Sequence, residues 1–123
     1  MKLRLRGDSI RIRLRQHQLQ QLLNSGAVSE TTTFGPHSEL KCILAVGGNQ
    51  VSTTFQSGEL KVLIPHGQIQ QWATTDQVGI TADQPIGDGR MLRILIEKDF
   101  ACRDGASDES QEGAFENPAG TKC

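Results

Sequence analysis

The first fifteen residues alternate in two series. Leu3, Leu5, Ile10, Ile12 and Leu14 make an apolar series, and Lys2, Arg4, Arg6, Arg11, Arg13 and Arg15 make a basic one. A period of two belongs to a half-buried strand. Gly7-Asp8 interrupts the pattern with turn chemistry, so the segment predicts a β-hairpin. A two-residue turn there places Arg4 opposite Arg11 and Lys2 opposite Arg13, with all six basic side chains on one face. The pattern then changes period: Leu19, Leu22 and Leu23 fall on one side of a short helix over residues 16–24, closed by Gly26. Strands are expected over residues 28–34 and 40–46, with a turn at Gly35-Pro36 and an end at Gly47-Gly48-Asn49.

The second half follows the same plan. Residues 51–56 and 60–64 read as strands joined at Ser57-Gly58, and Pro65 opens a helix to about Thr74 with Ile69, Trp72 and Ala73 inward. Residues 78–81 read as a short strand, 85–89 as a loop and 90–100 as the last long strand. Residues 10–33 can be laid on 60–83 without a gap. The identities are Gln18/Gln68, Gln20/Gln70, Gln21/Gln71, Val28/Val78 and Thr31/Thr81, where chance would give roughly one or two. The expected fold is therefore α+β: a duplicated ββαββ unit (residues 1–50 and 51–102) with eight mostly antiparallel strands. They form a curved sheet, a sandwich or a barrel, with two short outer helices. Residues 103–123 hold Arg103 and Lys122 against Asp104, Asp108, Glu109, Glu112 and Glu116, and read as an acidic, irregular tail with Phe115 as an anchor.

Composition narrows the function classes. Apolar residues make up 36% of the 123, normal for a packed domain once the 13 glycines are added. No window has the ~18 apolar residues of a membrane span. Nor does the start have the apolar run of a secretory signal. The net charge of −1 and the scarcity of aromatic residues argue against nucleic acid as a ligand. The cysteines, Cys42, Cys102 and Cys123, are odd in number and far apart, so no disulfide framework is expected and a cytoplasmic setting fits. His17, His37 and His66 lack metal-ligand spacing, and no cofactor is implied.

The uneven charge is the candidate chemistry. Like charges facing each other across a hairpin repel, at roughly 0.2–1 kcal/mol per pair, so something must offset them. At the matching positions of the second half Arg4 becomes Thr54, Arg6 Gln56, Arg13 Leu63 and Arg15 Pro65, while Arg11 becomes Lys61. The basic face thus belongs to the first half alone. Three readings compete: a solvated face, internal pairing with Glu30, Glu39, Glu97, Asp99 or the acidic tail, and a site for a phosphate-rich or other anionic ligand. The anion site would use Arg4, Arg6, Arg11, Arg13, Lys61 and Arg93. The partners expected are a small anion, a protein docking through the acidic tail, or a second copy. Glu97 and Asp99, two apart on one strand, are the weaker candidates for a metal over a phosphate, as a phosphohydrolase would need.

Two resemblances follow from these residues. Lys2 to Gly7, Ser9 to Leu14, Asp88-Gly89, Leu92 to Cys102 and the late Phe115-x-Asn117-Pro118 resemble a small bacterial family of unknown function, over nearly the whole chain. That resemblance implies no activity and transfers no site residue. In architecture, a duplicated β-rich unit with arginines on an inner face is similar to the triphosphate tunnel (CYTH) enzymes. Those enzymes bind polyphosphate in a basic lumen and hold metal through glutamates of an E-x-E-x-K first strand. Here that strand reads Lys2-Leu3-Arg4-Leu5-Arg6, so the resemblance implies at most a comparable role for Glu97-Lys98-Asp99.

Overall fold

In the computed structural model, which describes residues 1–100, the order is β1 (Lys2–Leu5), β2 (Ser9–Leu14), α1 (Gln16–Ser25), β3 (Ala27–Gly35), β4 (Ser38–Val46), β5 (Ser52–Gln56), β6 (Glu59–Ile64), α2 (His66–Thr74), β7 (Gly79–Gly87) and β8 (Arg90–Lys98). The strands form two four-stranded sheets, β1-β2-β8-β7 and β3-β4-β6-β5, and neither closes into a barrel. This excludes the closed-barrel form of the expected fold and, with it, a tunnel. The division of residues 1–102 from 103–123 lies partly outside the described residues.

Each sheet takes one hairpin from each half of the chain. Its outer pairs are antiparallel and its central pair is parallel: β2 with β8 and β4 with β6. The registers correspond throughout. Ser9 pairs with Arg93 and Ile12 with Ile96 in the first sheet, as Lys41 pairs with Glu59 and Leu44 with Val62 in the second. Because β2 and β8 run parallel, their hairpin tips share one end of the sheet, where Arg90 meets Asp8 at 2.8 Å. The same holds in the second sheet, where the Lys41 N–H donates to the Gly58 carbonyl at 2.8 Å. The helices leave β2 and β6 at the opposite end.

Local chemistry accounts for most element boundaries. Ser57 and Gly58 both have positive φ, as do Asp88 and Gly89, the conformation of tight hairpins that match strand twist. Gln18, buried, accepts the Arg15 N–H at 2.9 Å and satisfies the start of α1. The inward faces of both sheets and both helices join in one core. Ile10, Ile12 and Leu14 meet Leu44, Val62, Ile64, Ile94 and Ile96, with Leu22 and Trp72 brought in by the helices. The Trp72 indole N–H, removed from water, donates to the Val78 carbonyl at 3.0 Å.

Two expectations are corrected. Residues 85–87 continue β7 instead of opening a loop, and the turn is Asp88-Gly89. Pro85 is tolerated because β7 is an edge strand, where a missing N–H costs no ladder bond. The gapless overlay of the halves also breaks after the helices. β6 follows β2 by 50 positions, but β7 follows β3 by 52. Val28, buried, therefore corresponds to buried Ile80, while Val78 lies outside the strand and is exposed. The Val28/Val78 and Thr31/Thr81 identities are coincidental.

Candidate functional site

The outer face of the first sheet carries the charge. Lys2, Arg4, Arg11 and Arg13 lie there with the register expected from the turn: Lys2 opposite Arg13 and Arg4 opposite Arg11. Parallel pairing adds Arg93, Leu95 and Glu97 of β8 beside Ser9, Arg11 and Arg13. Arg6 follows β1 at the hairpin tip, where its N–H bonds the Ser9 carbonyl at 3.0 Å. Lys61 does not belong to this group. It sits on β6 in the other sheet, so the six proposed anion ligands form no single surface.

Carboxylates are built into the face. Arg11 Nε donates to Glu97 Oε1 at 2.5 Å, and Arg13 Nε stands 3.8 Å from the same oxygen, with Arg11 and Glu97 both largely shielded from solvent. Lys2 Nζ lies 3.1 Å from Asp99, whose backbone N–H donates to the Leu14 carbonyl at 2.9 Å. Of the three readings, internal pairing is thus realised for Lys2, Arg11 and Arg13. Arg6 and Arg93 make no ion pair among the described residues.

The other sheet shows what this chemistry replaces. Arg13↔Glu97 corresponds in register to Leu63↔Ala45. An ion pair on one sheet stands where an apolar pair stands on the other, so arginine and acid go together. Gly79 completes the arrangement. It lies opposite Glu97, and a Cβ on it would come within 2.8 Å of Glu97 Cγ and 2.6 Å of the Ile96 carbonyl oxygen. The glycine leaves the space in which Glu97 lies.

No group of three His, Cys, Asp or Glu side chains among the described residues is placed to hold a metal. Glu97 and Asp99 are engaged with cations instead. His17, His37 and His66 are exposed. Cys42 is buried, and its thiol is pushed up to about 11, chiefly by burial and secondarily by Glu30. Cys102 and Cys123 lie outside the described residues.

A second feature escaped the sequence pattern. A groove of about 500 Å³ opens between the edges of β1 and β3, lined by Met1, Leu3, Leu5, Glu30, Thr32, Phe34, Leu40 and Cys42. The Met1 amino group stands 3.5 Å from Glu30 across it. No motif marks such a groove, because it arises from the meeting of two sheets.

A small α+β fold of two four-stranded sheets, one with a charged outer face, is the class these observations define. The chain belongs to a family of unknown function (DUF7009), whose model matches residues 1–119. No curated protein matches the chain, and no solved structure does. No helix among the described residues is long and apolar enough to cross a membrane.

Proposed function

We propose that this protein is an interaction or assembly module whose basic sheet face holds an acidic polypeptide. The observation that carries the reading is the pairing of Glu97 with Arg11 and Arg13 and of Asp99 with Lys2. Side-chain carboxylates are what this face already accommodates. Its cations are spread over an open sheet with acids between them, whereas a small polyanion calls for cations converging in a concavity. Residues 103–123, with a net charge of −3, are one acidic polypeptide of suitable composition. The reading includes a duplicated ββαββ unit. It is supported by the corresponding registers of the two sheets.

A second reading keeps a small phosphate-rich ligand at Arg4, Arg6 and Arg93. It is favoured by the direct Arg4↔Arg11 opposition, since the fork of arginine suits phosphate. Calorimetric titration of the full chain with an acidic peptide and with tripolyphosphate separates the two. The interaction module binds the peptide, weakens with added salt and weakens further in Arg4→Ala and Arg6→Ala. Binding of tripolyphosphate alone would transfer the assignment to the second reading, and binding of neither would end both.

A further inference from the structure

The two places where the sheets meet edge to edge are not alike. Between β5 and β7 the Gln84 side chain fills the seam. Its Oε1 accepts the Thr53 N–H at 2.7 Å and the Thr53 hydroxyl at 3.0 Å, and its Nε2 donates to the Thr53 carbonyl at 3.2 Å. A side-chain amide has the donor and acceptor of a peptide group, so Gln84 acts as one unit of a missing strand. The bonds also show that Thr53 turns its N–H and carbonyl away from β6.

Leu3 holds the matching place in the other seam. Leu3 pairs with Ile12 as Thr53 pairs with Val62, so its N–H and carbonyl point toward β3. Thr32 stands where Gln84 stands in the second seam, opposite Leu40 as Gln84 is opposite Leu92. A threonine hydroxyl is too short and too simple to replace an amide. Among the described residues no side chain reaches Leu3 as Gln84 reaches Thr53, and the seam widens into the groove that the Met1–Glu30 ion pair crosses.

We infer that the open seam is a strand-addition site, and that its occupant is an extended segment of a partner protein in which acidic and apolar residues alternate. The inference rests on the acidic-polypeptide reading and specifies how such a segment is held. A strand laid on β1 bonds Leu3 and Leu5 through its backbone and presents successive side chains to opposite faces. One set enters the groove against Leu3, Leu5, Phe34 and Leu40. The other stands on the outer face beside Lys2 and Arg4, where acids are matched by charge. Self-pairing of β1 from two copies would set Lys2 and Arg4 against cations. The acids of residues 103–123 do not alternate with apolar residues, which points away from this chain as the source.

The test uses the full chain with two acetylated peptides of one composition, glutamate alternating with valine or the same residues in two blocks. The alternating peptide binds about tenfold tighter and slows hydrogen exchange at Leu3 and Leu5, with Thr53 as an internal control. Thr32→Gln, which supplies the amide found in the other seam, weakens the alternating peptide about tenfold while Trp72 fluorescence reports an intact fold. Equal binding of both peptides, or no effect of Thr32→Gln, overturns the strand-addition site while leaving the acidic-face reading in place. No binding of either peptide overturns both. Protection of Leu3 and Leu5 that appears with a peptide of residues 103–119, or with protein concentration alone, gives the seam to this chain instead and also refutes the inference.

Discussion

Glu97 carries more of the basic face than any other residue, because one oxygen serves two arginines. Glu97→Gln leaves Arg11 and Arg13 without that charge and is expected to destabilise the protein by about 1–3 kcal/mol, read from urea unfolding. Gly79→Ala acts on the same spot from the facing strand. Its methyl group meets the Glu97 side chain and the Ile96 carbonyl, so a loss of about 1–3 kcal/mol is expected in the same measurement. Cys42 gives a pH dependence. Its thiol titrates near 11 in the fold against 9.0 when free, so the native state holds the proton more tightly. Stability from this group is fully present below pH 9 and is lost as pH rises toward 11, and Cys42→Val flattens that limb of the unfolding profile.

Among the elements, the first hairpin was legible down to its register. Strict alternation around a two-residue turn leaves one pairing that buries Ile10, Ile12 and Leu14. Glu97 was also legible as an acid for the arginines, since the last strand alternates and places Arg93 and Glu97 on one side, whereas Asp99, expected to pair with arginine as well, takes Lys2. β7 was not legible beyond its first residues. Gln84-Pro85-Ile86-Gly87 has turn composition, and only its position at a sheet edge lets it continue as a strand. The role of Gln84 was hidden with it. Gln84→Ala is expected to cost about 1–2 kcal/mol and to speed exchange of the Thr53 amide, checked by exchange measured residue by residue.

For the whole molecule, no local pattern indicated which strands would meet across the halves. Alternation tells a strand which face to bury but not which distant edge to join. Both central pairs, β2 with β8 and β4 with β6, cross from one half to the other. Residues 1–50 and 51–123 made as separate chains are therefore each expected to lack cooperative unfolding, and to recover it on mixing, as followed by circular dichroism. The parallel β2–β8 ladder has a further consequence during synthesis. The arginine-rich hairpin leaves the ribosome well before its central neighbour β8, so every element between them must emerge before that sheet can form. Until then one flank of the nascent hairpin stays open to chaperones, and maturation of this sheet waits on translation reaching Lys98.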